Sequence, residues 1–184
     1  MRVCVFCSAN DNIDPQYFEE TARLGRLIAE AGHELVFGGC NVGLMECVAK
    51  AAFLAGGRTI GVIPEKVESQ VKPSEYISER IDVPNLSVRK QLMMDMSDVF
   101  IALPGGIGTL DEIFSVAASH TIGYHDKKVI LLNINGFWDG VREMLRGLER
   151  EGMLRGELSD YILITDSIET ALSNLDDCRT RFLD

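Results

Sequence analysis

A glycine-rich stretch at residues 104–109, PGGIGT, is the part of this sequence whose residue types most directly suggest chemistry. It follows an apolar run at residues 99–103 and precedes two acids, Asp111 and Glu112. A glycine-rich turn that leads into a helix exposes backbone N–H groups at the positive end of the helix dipole, which is a natural site for phosphate. The stretch therefore predicts a phosphate-binding site, to which the Thr109 hydroxyl adds a donor. Its predicted members are Gly105, Gly106, Ile107, Gly108 and Thr109.

A second glycine-rich stretch, FGGCNVGLM at residues 37–45, also joins a predicted strand to a predicted helix. It predicts a similar role for Gly38 and Gly39. The alternative, for either stretch, is that the glycines only allow a helix to pack closely on a strand. The first predicted strand is not followed by GxGxxG, and the GxxxxGK motif is absent, which disfavours a nicotinamide-cofactor dehydrogenase and a P-loop enzyme. Ser8, which follows that strand, is either a phosphate donor or a turn serine.

An arginine–lysine pair, Arg89 and Lys90, is predicted to lie in the first turn of a helix that Ser87 can cap. Cations in that turn oppose the helix dipole, which favours an interpretation in which they meet a bound anion. Arg89 shares a helical stripe with Met93 and Met96, and its planar guanidinium suits a phosphate. The alternative is an arginine stem on apolar surface with its head in solvent. Lys90 is assigned to the phosphate site, and Met93 to the core and the pocket wall.

Glu112 has two interpretations. Residues 109–112 read TLDE, which matches a capping box and gives Thr109 and Glu112 a purely structural role. Alternatively, Glu112 lies beside a bound phosphate and faces the sugar of a phosphorylated ligand. A carboxylate there could stabilise an oxocarbenium-like centre, or activate water, during cleavage at C1 of a ribose.

The rest of the chain predicts the elements that must position these residues. Short apolar strands alternate with helices, which is typical of a parallel sheet covered on both faces. In such a doubly wound α/β fold, ligands bind at the carboxyl ends of the strands, where the strand order reverses. The predicted strands are residues 3–6, 35–37, 59–63, 80–83, 99–103, 129–132 and 161–164. The predicted helices are residues 15–31, 44–54, 87–96, 109–119, 138–150 and 168–175, with a loop or short helix within residues 65–79.

Composition and charge limit the binding partners, the compartment and the metal sites that we expect for this chain. A chain of 184 residues is most simply one domain over residues 1–184, and its net charge of -10 argues against nucleic acid. No segment has the length of a membrane span or the pattern of a signal peptide. Five cysteines form a poor disulfide framework, which indicates the reducing cytoplasm. Cys4 and Cys7 would point to opposite faces of a strand, and the histidines show no metal spacing, so no metal site is expected.

Residues 87–112, SVRKQLMMDMSDVFIALPGGIGTLDE, resemble the RKxxM…PGGxGTxxE signature of the LOG ("Lonely guy") family of cytokinin riboside 5'-monophosphate phosphoribohydrolases, which were long labelled lysine decarboxylases. Other segments are similar to the family's CVFCGS, YGGGxxGLM, GVIP and GxHxKPVxLLN motifs. They read VCVFCSAN, FGGCNVGLM, TIGVIP and GYHDKKVILLN. The resemblance covers nearly the whole chain.

The resemblance implies a Rossmann-like α/β fold, a homodimer, and no metal or redox cofactor. It implies hydrolysis of the N-glycosidic bond of N6-substituted adenosine 5'-monophosphates to free base and ribose 5-phosphate. Arg89 and Glu112 take the places of the family's catalytic pair, and the PGGxGT turn takes the place of its phosphate site. Hydrolysis of this bond would explain both Arg89 and Glu112. Nothing singles out a lysine for the pyridoxal chemistry of a decarboxylase.

The sequence also departs from the family's pattern. Cys40 replaces a glycine, Glu46 replaces the glycine after GLM, Ile107 replaces a tyrosine, and residues 85–88 lack a common histidine. The family's Thr-Trp pair and glutamine beyond the signature correspond here to Ala118, Ser119 and Thr121. The resemblance therefore implies phosphoribohydrolase activity more directly than a cytokinin preference, and plain AMP is an alternative substrate. A non-catalytic carrier or sensor of a phosphorylated small molecule is the alternative function.

Overall fold

The computed structural model describes residues 1–68 and 71–180, which contain a parallel sheet of seven strands. The strands are β1 Arg2–Phe6, β2 Glu34–Phe37, β3 Thr59–Pro64, β4 Glu79–Val83, β5 Val99–Ala102, β6 Val129–Leu132 and β7 Ile162–Thr165. Their order is β4-β3-β2-β1-β5-β6-β7, and all neighbouring pairs are parallel. The strand order reverses between β1 and β5, so the ligand crevice of such a sheet is expected at their carboxyl ends.

Helices cover both faces of the sheet. They are α1 Pro15–Glu30, α2 Gly43–Leu54, α3 Glu65–Glu68, α4 Leu86–Met96, α5 Ile107–Thr121, α6 Asp139–Arg150, α7 Leu158–Tyr161 and α8 Ile168–Thr180, and a short 3-10 helix spans Ile134–Gly136. Buried residues of α1, α2 and α8 pack on one face, and those of α4 to α7 pack on the other. The predicted α/β fold with a doubly wound parallel sheet is therefore confirmed. No helix in the described part of the chain is long and apolar enough to cross a bilayer.

Side-chain alternation along the strands builds the two cores. In β1, Val3 and Val5 enter the core beneath α1, α2 and α8, whereas Cys4 enters the opposite core. Cys7 lies with Val3 and Val5, so Cys4 and Cys7 belong to different faces of the sheet, as predicted. The side chain of Cys178 lies outside the part that the structure describes.

Two of the helix starts that differ from the prediction matter for the site. Asn85 rather than Ser87 caps α4, because the Val88 N–H donates to Asn85 Oδ1 at 3.0 Å. Helix α5 begins at Ile107, two residues before the predicted start, so Thr109 lies inside the first turn. The capping-box interpretation of Thr109 is therefore wrong.

Away from the site, the structure corrects the start of the last strand and resolves the prediction for residues 65–79. The expected strand start at Tyr161 is wrong, because that residue ends the short helix α7 and β7 starts at Ile162. Helix α3 supplies the short helix that was one option for residues 65–79.

Candidate active site

An open cleft of about 530 Å³ lies at the carboxyl ends of β1 and β5. Sequence-predicted residues from four separate segments line it: Ser8, Gly38, Arg89, Gly106, Gly108, Thr109 and Glu112. The strand order explains this convergence, because the turns after β1, β2 and β5 open on the same edge of the sheet. Arg89 reaches the cleft from α4, which packs beside α5.

Arg89 and Glu112 face each other across this cleft. The Arg89 Nη2 atom lies 3.9 Å from Glu112 Oε1, and the two side chains are only 12% and 14% exposed. Among the described residues, no acceptor lies within hydrogen-bond distance of the buried Arg89 Nε. A buried guanidinium donor without an acceptor is unfavourable in the protein alone, so Arg89 is suited to meet an anion or a polar ligand.

Burial raises the pKa of Glu112 from an ordinary 4.5 to about 7. The nearby Arg89 guanidinium and Lys90 ammonium lower this pKa, and the Asp111 carboxylate raises it, but loss of solvent has the largest effect. Glu112 therefore exchanges its proton close to neutral pH, which suits a residue that must hold or accept a proton during a reaction.

The N-terminus of α5 is open to the cleft. Gly106 is its N-cap, no side chain of the described residues caps it, and the first helical bond runs from the Leu110 N–H to the Gly106 carbonyl at 3.0 Å. A Cβ built on Gly106 or Gly108 would meet nothing within 4 Å, and neither glycine has a positive φ. The protein itself therefore gives no steric reason for glycine at either position, whereas a ligand that must approach the backbone does.

Gly105 has a different role from its neighbours. A Cβ at Gly105 would overlap the side chain of Thr109, whose Cβ would be only 2.6 Å away. Thr109 is buried and lines the cleft. Gly105 therefore makes room for Thr109 and does not itself line the cleft.

At the N-terminus of α2, the first N–H groups already donate to acceptors within the protein. The Gly43 N–H donates to Asp11 Oδ1 at 2.8 Å, and the Leu44 N–H donates to the Ser8 carbonyl at 2.9 Å. Gly38 lines the cleft, but Gly39 does not; a Cβ at Gly39 would meet Ile63. The two glycine-rich turns thus differ in the availability of their N–H groups.

Ser8 links the end of β1 to the turn after β5. Its N–H donates to the Pro104 carbonyl at 3.0 Å, and its Oγ accepts from the Asn10 N–H at 3.0 Å. The hydroxyl proton is not used in either bond. Ser8 is therefore a turn serine that can still donate into the cleft, so both interpretations of it are compatible.

Besides Gly39 and Gly105, three more of the predicted binding residues do not line the cleft. The Lys90 Nζ atom lies 2.8 Å from each carboxylate oxygen of Asp111 and 3.1 Å from Ser115 Oγ. Met93 is fully buried in the core, and Ile107 is 82% exposed. Within the described chain, Lys90 and Met93 support the helices that carry Arg89 and Glu112.

Several cleft residues were missed from the sequence: Asn10, Asp11, Asn12 and Met45. The polar run after the first predicted strand was a usable signal, since the carboxyl end of a central strand borders the crevice. Ala118 and Thr121 line a separate apolar groove with Phe114, Leu148 and Met153, not the cleft.

Comparisons with known proteins agree with the site. The profile of a family described as "Possible lysine decarboxylase" matches residues 45–175. A cytokinin riboside 5'-monophosphate phosphoribohydrolase of Mycobacterium tuberculosis (strain ATCC 25618 / H37Rv) is 37% identical over 170 residues, or 92% of this chain and 90% of its own length. One from Arabidopsis thaliana is 33% identical over 176 residues, or 96% of this chain and 83% of its own length.

A comparison with solved structures shows the same fold in a cofactor-binding protein. The molybdenum cofactor binding protein from Rippkaea orientalis has a TM-score of 0.74 and 28% identity, and the match covers 96% of this chain and 95% of that one. The profile match and the relatives above 30% identity establish the relationship. The chain belongs to the LOG family, whose profile carries the lysine decarboxylase description.

Proposed function

We propose that residues 1–184 form a single nucleotide-binding domain that hydrolyses the N-glycosidic bond of adenosine 5'-monophosphates. The observation that carries the proposal is the uncapped N-terminus of α5 in the same cleft as a facing Arg89 and Glu112. A carrier needs the phosphate site, but it has no need for a buried carboxyl group whose pKa is about 7. The relatives from Mycobacterium tuberculosis and Arabidopsis thaliana, which are named as phosphoribohydrolases, support the same activity.

The phosphate binds at the start of α5. The N–H groups of Ile107, Gly108 and Thr109 point out of the first turn of the helix, where the dipole favours an anion. Arg89 supplies the cation, and among the described residues that line the cleft no Lys or second Arg is present. This local arrangement offsets a net charge of -10, which would otherwise repel a phosphorylated substrate.

Arg89 and Glu112 act at the ribose. The C1–nitrogen bond breaks and its electrons stay with the base, water supplies the hydroxyl that C1 gains, and the remaining proton goes to the base. The ionised Glu112 carboxylate stabilises the positive charge that develops on the ribose, or accepts the proton from the attacking water. Arg89 fixes the substrate beside this carboxylate and limits how far burial raises its pKa. No metal or redox cofactor takes part in the proposed reaction.

Product analysis tests the proposal. The purified protein is incubated separately with AMP and with N6-isopentenyl-AMP, and free base and ribose 5-phosphate are quantified, with Glu112→Gln as the matched variant. Release from the modified nucleotide alone would establish cytokinin activation, and release from both would establish a broader, AMP nucleosidase-like hydrolase. Absence of release from both would refute the proposed hydrolysis.

A carrier or sensor of a phosphorylated small molecule is the second candidate. It is favoured by the fold match to the molybdenum cofactor binding protein from Rippkaea orientalis, which covers nearly the full length of both chains. Nucleotide binding that raises the melting temperature, without any release of base, would support it. Glu112→Gln would then leave ligand affinity almost unchanged.

We further propose a cytoplasmic homodimer. All four cysteines whose side chains the structure describes, Cys4, Cys7, Cys40 and Cys47, are unpaired, which suits a reducing compartment. The apolar groove between α5 and α6, where Met153 is 72% exposed, offers a surface for a second copy. Light scattering of the purified chain tests the dimer, and a monomeric mass at assay concentration would contradict it.

A further inference from the structure

The Arg89 guanidinium occupies the space that a side chain at Gly38 would take. A Cβ built on Gly38 would overlap Arg89 Nη2, lie 3.1 Å from Arg89 Cζ and lie 2.7 Å from Met45 Sδ. The φ angle of Gly38 is not positive, so its backbone conformation does not require glycine. Within the protein, the steric reason for glycine at this position is therefore the guanidinium, together with the thioether that packs beside it.

The turn that carries Gly38 is held firmly. The Gly39 carbonyl accepts from the Ser74 N–H at 2.9 Å, and the Asn41 N–H donates to the Lys72 carbonyl at 3.0 Å. Cys40 also forms a β-bridge with Pro73. Because both sides of the turn are tied to residues 72–74, the backbone cannot withdraw to make room for a methyl group at residue 38.

The atoms that such a methyl group would meet are the mobile ends of two long side chains. Arg89 and Met45 can move these ends without disturbing any backbone hydrogen bond. A substitution at Gly38 would therefore displace the guanidinium and leave the fold intact. Gly38 differs in this respect from Gly39 and Gly43, where a side chain would be strained because φ is positive.

We propose that Gly38 is a positioning residue for the hydrolysis. Because Gly38 has no side chain, the Arg89 guanidinium can lie against its Cα and stay opposite Glu112. The inference rests on the proposed function, because it assigns Gly38 to the catalytic pair instead of to a second phosphate site. The turn after β2 thus serves the reaction through Arg89, although the N–H groups at the start of α2 are already bonded.

The test compares Gly38→Ala with Gly140→Ala in the full chain. Gly140 lies in α6, has no positive φ, and a Cβ there would meet nothing within 4 Å, so this control is expected to keep wild-type activity. We expect kcat of Gly38→Ala to fall about 100-fold, since a displacement of about 1 Å in a reacting group has effects of that size. The melting temperature should stay close to that of the wild type.

Two readouts separate positioning from other roles. In a double-mutant cycle, Gly38→Ala should have almost no further effect in an Arg89→Ala background, because the displaced group is already gone. The Glu112 pKa, measured by carbon-13 NMR without substrate, should rise above its wild-type value when the guanidinium moves away.

Several outcomes would overturn the inference: wild-type kcat in Gly38→Ala, full additivity with Arg89→Ala, or a raised KM with unchanged Glu112 titration. The NMR readout needs no activity. If the wild type released no base from either nucleotide, the proposed function would fail, and an unchanged titration would separately show that Gly38 does not seat Arg89.

Discussion

The two glycine-rich turns look alike in sequence but are built for different purposes. In the turn after β2, Gly39 and Gly43 have φ angles of 77° and 55°, and Cβ atoms there would strike Ile63 or the backbone of residues 8–10. In the turn after β5, Gly106 and Gly108 have ordinary φ angles and open space around their Cα atoms. The protein needs the first set of glycines for its own packing, whereas the second set leaves room for something else.

The helix that follows each turn shows the same contrast. Asp11 and the Ser8 carbonyl occupy the N–H groups at the start of α2, whereas no side chain of the described residues caps α5. A glycine-rich turn before a helix is therefore not enough to identify a phosphate site. The distinguishing observation is whether the protein already uses the N–H groups and the space above them.

Gly43→Ala should break the first turn and have the largest effect on folding. A methyl group would lie 2.6 Å from the Ser8 carbonyl oxygen, in a backbone conformation with positive φ, so we expect a loss of about 3 kcal/mol of stability. Urea denaturation measures this loss. Gly32→Ala is the control for φ alone, because Gly32 has φ of 73° but no neighbour within 4 Å. Equal losses in both variants would contradict the packing argument.

Glu112→Gln should stabilise the protein while it abolishes hydrolysis. This result would show that the α5 side of the site is built for a reaction at the expense of stability. The Glu112 pKa is about 7 when folded and about 4.5 when unfolded. As pH rises through that window, the unfolded chain releases the proton first, so wild-type stability falls. The variant lacks this loss and should be more stable by about 3 kcal/mol at pH 8.

The control for this prediction is pH itself. At pH 4 the carboxyl group is mostly protonated in both the folded and the unfolded state, so the free energies of unfolding of wild type and Glu112→Gln should nearly converge. Denaturant titrations at pH 4 and pH 8 measure both values. A constant difference at the two pH values would mean that the burial of Glu112 does not shift its pKa.

Much of this arrangement follows from the sequence. The alternation of short apolar strands with helices predicted the doubly wound sheet, and the stripe of Arg89 with Met93 predicted that Arg89 turns inward. The roles of Lys90 and Met93 were harder to predict, because a shift of one residue along a helix turns a side chain by about 100°. Whether Gly38 or Gly39 faces the cleft depends on the neighbours Arg89 and Ile63, which are distant in sequence.

Asp11→Ala should weaken the first turn more gently. It removes the carboxylate that accepts from the Gly43 N–H, and the loss of such a cap costs about 1 kcal/mol. Asp14→Ala is the matched control, since Asp14 Oδ1 caps α1 away from the cleft by accepting from the Gln16 N–H at 2.9 Å. Both losses are measured by urea denaturation. Unchanged stability in Asp11→Ala would show that the start of α2 does not depend on this carboxylate.

Gly108→Ala should not destabilise the protein and should stabilise it by at most about 1 kcal/mol, because the methyl group meets nothing in the protein. Its effect on the ligand should be larger. A methyl group that holds a phosphate away from the N–H groups should weaken nucleotide binding about tenfold, or about 1.4 kcal/mol. Calorimetry with AMP and the inactive Glu112→Gln background measures the affinity. Unaltered affinity would place the phosphate elsewhere.

The most direct test of the central claim is to locate the phosphate. Amide proton and nitrogen-15 spectra of the full chain are recorded during a titration with ribose 5-phosphate, and ribose without phosphate is the control. We expect phosphate-dependent shifts at Ile107, Gly108 and Thr109, with the amides of Gly43 and Leu44 almost unmoved. Shifts at Gly43 and Leu44, without shifts at the start of α5, would contradict the proposed phosphate site.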